Sequence, residues 1–279
     1  MSQAKTIDEV IERLTLIVED AKAKPSRLGY FAVLYREVTI AVKQRIDQGD
    51  YFDDNVRMEK FDVNFANRYL AAYDKMQSGF KPTRCWDYAF QVTPQWWPIT
   101  LQHLLLGINA HINLDLGIAA VETVGSQGLQ ALHPDFNRIN DLLADLVGDV
   151  KEKLASVWPP LRFLNQYLGD VETGVINFSM AKARDAAWSL ALELAALDQS
   201  GREQAIARRD DETLALGHAI RNPGFLLGLV TKAVRLGERG SVSQIIAVLE
   251  GEARRWSFAV SRGKPLRTLQ PQSDRQLQG

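Results

Sequence analysis

Apolar residues recur at intervals of three and four along most of the chain, the period of amphipathic helices. The spacing predicts a first helix from Thr6 to Lys24. It is opened by the capping-box pair Thr6-x-x-Glu9 and stopped at Pro25. Further helices are expected from Arg27 to Gln48, ended by Gly49, and from Asn55 to Gln77, before Gly79. A short one holds Trp86 and Phe90, and a long apolar segment runs from Pro98 to Thr123. Val124 to Leu132 reads as a loop, after which Pro134 starts a helix that Pro159-Pro160 ends. A short helical piece follows at Phe163 to Leu168, and Ser179 caps a helix to Leu197. The last segments are Arg202 to Arg221, Gly224 to Leu236 and Val242 to Val260, the final one opened by Ser241-x-x-Gln244. No alternating Val, Ile and Thr runs joined by hairpin turns stand out. The expected fold is all-α, a bundle of about ten helices. Residues 1–260 are expected to form one domain. Residues 261–279 carry no periodic apolar face and read as a solvated, disordered tail.

One helix breaks its own pattern. Gln102 to Glu122 (QHLLLGINAHINLDLGIAAVE) is apolar enough to be buried, yet it carries His103, Asn109, His111, Asn113 and Asp115. An unpaired polar group costs roughly 2–7 kcal/mol to bury, so five of them need partners or a purpose. His111 and Asp115 are four apart and share a face; Asn109 and Asn113 form a neighbouring stripe. His103 lies eight residues before His111, about 12 Å along a straight helix. The two rings could therefore meet one ion only if Gly107 marks a break. A helical His-x-x-x-Asp can give two metal ligands or an oriented general base. It can equally anchor a hydrogen-bond network between helices, and the residues weigh these readings about evenly.

Two other polar groups could face this helix. Asp62, Arg68 and Tyr69 interleave with Phe61, Phe65 and Leu70; Arg68 could pair with a carboxylate or grip a phosphate. Asn140 and Asp141 follow the apolar Phe136 and Ile139. Asp141, Asp145 and Asp149 then form an acidic ladder that suits a solvated face better than a Mg²⁺ site. Asp50, Asp53 and Asp54 are most simply helix-start residues. Trp86, Tyr88, Phe90, Trp96 and Trp97 crowd one short window, as core packing or as the wall of an apolar pocket. His218 reads as a capping or surface histidine.

Composition narrows these options. The chain has 46% hydrophobic and 24% charged residues, the proportions of a folded globular protein. Its net charge of −1 argues against a dedicated nucleic-acid binder. A single cysteine, Cys85, excludes an internal disulfide framework and a multi-cysteine metal site. No signal peptide is seen in MSQAKTIDEVIERL and no run of 18 apolar residues occurs, so a cytoplasmic protein without a membrane span is expected. Walker A, dinucleotide-fingerprint, Gly-x-Ser-x-Gly and His-Glu-x-x-His motifs are absent.

Four segments carry a resemblance: YREVT (Tyr35–Thr39), FDVNFANRYL (Phe61–Leu70), QHLLLGINAHINLDLGIA (Gln102–Ala119) and FNRINDLLADL (Phe136–Leu146). Together they resemble a domain-of-unknown-function family of bacteria and some fungi, marked by an Asn-Ala-His-Ile-Asn-x-Asp-Leu helix. The likeness spans about Tyr35 to Pro223. It implies that Asp62, Arg68, His103, Asn109, His111, Asn113, Asp115, Asn140 and Asp141 are a shared polar set. His111 and Asp115 are also similar to the helical His-x-x-x-Asp pair of zinc-dependent phospholipase C, although further histidines at matching spacing are missing. The Asp50–Asp54 cluster and Asn140-Asp141 are similar to parts of the class I terpene cyclase magnesium motifs, although Ala144 and Gly148 stand where ligands should be.

These readings combine into one expectation. The protein is an intracellular all-α enzyme with a polar pocket between helices, acting on an apolar or amphipathic phosphate or diphosphate ester, as a hydrolase or a terpene-cyclase-like lyase. His111, Asp115 and Asp62 are the candidate catalytic residues. Arg68, Tyr69, His103, Asn109, Asn113, Trp86, Phe90, Trp96 and Trp97 are candidates for binding a small-molecule substrate. A divalent metal, Mg²⁺ or Zn²⁺, would take His111, Asp115, Asn140 and Asp141. The alternative is a non-catalytic helical module that binds a small molecule or a protein, with the His/Asn/Asp cluster as a structural network.

Overall fold

A computed structural model describes residues 3–157 and 180–251, except the side chains of 140–157 and 181. Every regular element among them is helical. In chain order they are α1 (Ile7–Ala23), α2 (Leu28–Gln48), α3 (Asn55–Gln77), α4 (Arg84–Val92) and α5 (Thr100–Ala110). A π-helical turn (His111–Asp115) leads into α6 (Leu116–Val157). Then come α7 (Met180–Ala196), α8 (Gln199–Arg221), α9 (Phe225–Gly237) and α10 (Val242–Leu249).

Local chemistry sets most of these ends. The Thr6 hydroxyl accepts from the Glu9 N–H at 3.2 Å, so the capping residue expected from sequence opens α1. Asp54 caps α3 through the Arg57 N–H at 2.9 Å, and Asp198 caps α8 through the Gly201 N–H at 2.8 Å. Gly49 ends α2 at φ 92°, a left-handed conformation that favours glycine. The reciprocal Ser241–Gln244 box opens α10.

α4 is started from another helix. Asp210 of α8 accepts from the Arg84 and Cys85 N–H groups at 2.7 and 2.9 Å, two of the donors that a helix start leaves open. Asp210→Ala should therefore lower stability by about 1–2 kcal/mol. Urea unfolding checks this, and an unchanged midpoint would remove the cross-helix cap from the account.

The long central helix differs from expectation. Residues 126–132, expected as a loop, are helical, and Pro134 lies inside α6 rather than at a helix start. The interruption is confined to Gly125, at φ 65° and ψ −178°. A single glycine absorbs the bend, so no loop is required. The expected piece Phe163–Leu168, the Ser179 cap, the Pro159-Pro160 stop and residues 252–279 lie outside the described residues.

α5, the π-turn and the first part of α6 run through the middle of the molecule, against α2, α3, α4, α7 and α8. The Thr100–Ile139 stretch is long and apolar enough to cross a bilayer by composition, but 94% of its most apolar window is buried inside the protein. Neighbours approach it closely where it carries glycine. A Cβ on Gly107 would lie 2.5 Å from the Phe31 ring, and one on Gly117 would meet the Ala187 carbonyl of α7. Glycine at 107 thus leaves the room that the Phe31 ring of α2 occupies against the polar helix.

Candidate functional site

The polar residues of the central helix divide into three environments. Asn109 and Asn113 form a structural tie. The Asn113 amide donates to the Asn109 Oδ1 at 3.0 Å, and the Asn109 amide donates to the Thr213 carbonyl of α8 at 2.8 Å. His103 lies apart, its ring edge-on to Tyr30 with centroids 5.9 Å apart. Burial, with the cations Arg27, Arg235 and Arg221 beyond it, lowers its pKa to about 3, so it is neutral.

The third environment is built on Asp115. Its carboxylate is buried and accepts from Trp86 Nε1 of α4 at 2.8 Å and from Arg68 Nε of α3 at 3.0 Å. His111 Nδ1 lies 3.2 Å from the oxygen that Trp86 uses. Burial alone would raise this carboxyl. The His111 bond and the Arg68 charge outweigh burial and hold it below the usual carboxylate range. Burial also lowers the His111 pKa against the pull of Asp115, so the pair is an ionised carboxylate beside a neutral imidazole. Asp115 thereby engages one ring nitrogen and leaves Nε2 without a partner.

The π-turn builds this arrangement. The Leu116 N–H donates to the His111 carbonyl five residues back, which inserts one extra residue into the helix at the dyad. Such turns are frequent at functional sites.

Aromatic rings enclose the imidazole. Phe65 stacks on it at 3.6 Å and 6°, Tyr35 meets it at 4.5 Å, and Phe31, Tyr69 and Trp86 stand 5.7–6.2 Å away. His111 Nε2, Tyr35 Oη, Tyr69 Oη and one Asp62 oxygen are buried without a hydrogen-bond partner. Asp62 and Tyr69 are seven apart on α3, with the stacked Phe65 between them. Asp62 and Asp115 both act on the Tyr35 phenol, which burial, those charges and Tyr69 push well up. Burial, and the Glu59 charge after it, raise the Asp62 carboxyl to about 7. Strongly displaced groups gathered in one place mark a candidate site.

A cavity of about 400 Å³ adjoins this chamber. Asp115 and Trp86 line it, together with Arg68, Lys75, Asn64 and Glu122, and Ala71, Ala72 and Pro82 add apolar wall. Asp115 and Trp86 thus stand between the cavity and the enclosed imidazole. Arg68 also donates to Glu122 at 3.1 Å, which lies seven residues after Asp115.

The structure brings together His111, Asp115, Arg68, Tyr69, Trp86 and Asp62 from the sequence-derived set. Phe90 is buried against Trp86, with rings 5.3 Å apart, and does not line the cavity. Trp96 and Trp97 are not brought to the cavity. They follow the end of α4, meet edge to face with centroids 5.0 Å apart and are half-exposed beside α9. The side chains of Asn140 and Asp141, expected as metal ligands, lie outside the described residues. Among the described residues no group of three or more His, Cys, Asp and Glu is placed to hold a metal. Asp115 is also a poor free ligand, because both oxygens already accept hydrogen bonds. Tyr35, Phe65, Lys75 and Glu122 were not singled out in the sequence; Glu122 was legible as the residue two turns beyond Asp115.

Fold and site together define an all-α protein with a buried His–Asp pair on a π-turn. The chain belongs to the family of unknown function DUF5995, whose model matches residues 7–223. No curated protein matches the chain, and no solved structure does.

Proposed function

We propose that this protein is an enzyme that works by general acid–base chemistry through His111, on a small amphipathic phosphate or diphosphate ester. The observation that carries this reading is the unpartnered Nε2 of an imidazole whose Nδ1 is held by a buried, ionised carboxylate. A neutral imidazole oriented in this way is a base: Nε2 takes a proton from the attacking water and returns it to the leaving group. Asp115 is the positioning residue, and the phenols of Tyr35 and Tyr69 are O–H donors beside the same ring.

The cavity supplies the substrate end. Lys75 and Arg68, two of whose five N–H donors are taken by Asp115 and Glu122, meet the anionic group. Ala71, Ala72, Pro82 and Trp86 take the apolar part.

Arg68→Ala should weaken binding of inorganic phosphate, read by calorimetry, by about ten-fold or more, the value of a charge-assisted hydrogen bond. His111→Gln should keep that binding and lose turnover of p-nitrophenyl phosphate by at least about a hundred-fold. Turnover that survives His111→Gln at wild-type level would sink the catalytic assignment.

A second reading, a binding module without catalysis, is favoured by one observation. Asn109, Asn113 and Asp115 are all satisfied within the chain, and His111 is not part of the cavity wall. Phosphate binding without turnover of esters by the wild-type protein would select it.

A further inference from the structure

α9 is largely apolar on both its inner and its outer side. Its inner side, Thr231 and Val234, is buried, with Val234 packed on Ile99 and partly buried Leu101 and Val230 beside them. Its outer side is also apolar. Phe225, Leu229, Ala233 and Leu236 follow the helical i, i+4, i+8, i+11 spacing, and Phe225, Leu226 and Leu236 are 81, 76 and 72% exposed. Trp96 and Trp97, each 50% exposed, continue this surface from the α4–α5 connection. Contiguous exposed apolar surface of this kind marks an interaction site.

Charge says what the surface meets. Lys232 lies on the outer face between Phe225 and Leu236, and its Nζ sits 5.9 Å from the Trp97 ring. The Arg235 guanidinium lies 4.7 Å from the Trp96 ring, and Arg239 is exposed just beyond the helix end. The acid described in this region, Glu238, has a largely covered side chain already engaged by Arg235 at 2.7 Å and by the Thr100 N–H at 2.8 Å. The face is therefore apolar in the middle, cationic at its charged positions and flanked by two indoles. Those are the features of a helix that lies in a bilayer interface. Pairing with a second copy fits less well, because it would bring Lys232 of one chain against that of the other, and among the described residues no acid is free on the face to meet them.

We propose that α9 and the Trp96–Trp97 pair form a docking surface for an anionic lipid membrane, entered to the depth of the headgroups. The test uses the full chain with vesicles of phosphatidylglycerol and phosphatidylcholine, and with phosphatidylcholine alone. Binding by sedimentation should be about ten-fold or more tighter to the anionic vesicles, as expected when two or so cations face the charged leaflet, and should weaken with added salt. Tryptophan emission should shift to the blue on binding. Phe225→Ser combined with Leu229→Ser removes only outward-facing apolar groups. It should abolish binding while circular dichroism and the unfolding midpoint stay unchanged. Wild-type protein that ignores anionic vesicles, or a variant that binds them as well as wild type, overturns the proposal. So does a concentration-dependent dimer, read by light scattering, that the same double substitution dissolves without any vesicle binding.

Discussion

Asp115→Ala is expected to destabilise the protein by about 3–5 kcal/mol, the cost of removing one partner from a buried charge network. The carboxylate is the shared acceptor for Trp86 Nε1, Arg68 Nε and His111 Nδ1, which come from three separate elements. Its loss leaves an indole N–H buried without an acceptor and an imidazole without its orienting partner. Arg68 is less affected, because its side chain is 22% exposed and keeps Glu122. Asp115→Asn should cost less, since an amide oxygen still accepts one of the bonds. Arg68→Met should cost least of the three. Urea unfolding at neutral pH separates them. A loss below about 1 kcal/mol for the alanine variant would mean that the carboxylate is not the hub.

The second large effect is a pair of opposed pH dependences. The native His103 pKa is lowered to about 3, so between there and 6.5 the unfolded chain binds a proton that the native chain does not. Its contribution is complete above the unfolded value and is lost as pH falls toward 3. For Asp62 the native pKa is raised to about 7 from 3.8, so the native chain holds a proton that the unfolded one has released. That contribution is complete below 3.8 and is lost as pH rises through 7. Each slope is about 1.4 kcal/mol per pH unit, and they oppose between about pH 4 and 6.5. His111, also lowered, tilts the sum toward loss on acidification. Between pH 6.5 and 4.5, His103→Leu should gain about 2–3 kcal/mol relative to wild type, and Asp62→Asn should lose about as much. Denaturation at the two pH values decides this. Parallel pH profiles for wild type and both variants would show that neither group is held as its burial implies.

Much of the fold was legible because helix ends are local. Thr6, Asp54, Gly49 and Ser241 act on neighbours within a few residues, and they stop or start helices where the sequence places them. Gly125 does interrupt the helix, but as a single residue rather than a loop, and only Pro134 misled, since it lies inside the helical run that follows. The site was half legible. Polar residues in an apolar helix identified the segment, and the spacing of four put His111 beside Asp115. Trp96 and Trp97 looked equivalent to Trp86 by proximity in sequence. The end of α4 at Val92 separates them, and only Trp86 turns inward to Asp115.

The sequence by itself determined the helical class, most helix boundaries and the one helix in which burial and polarity conflict. Periodicity, caps and composition act over a few residues, so a linear reading captures them. Only the tertiary structure decided how the conflict is resolved. Asn109 reaches a carbonyl 104 residues away, and Asp115 meets an arginine 47 residues before it. His111 is closed in by rings from α2, α3 and α4. Contacts between distant segments depend on how helices cross, and here on Gly107, which lets Phe31 close over the dyad. Whether a buried polar group is engaged or left open is set by those contacts, and at Nε2 of His111 they leave a buried nitrogen without a hydrogen-bond partner.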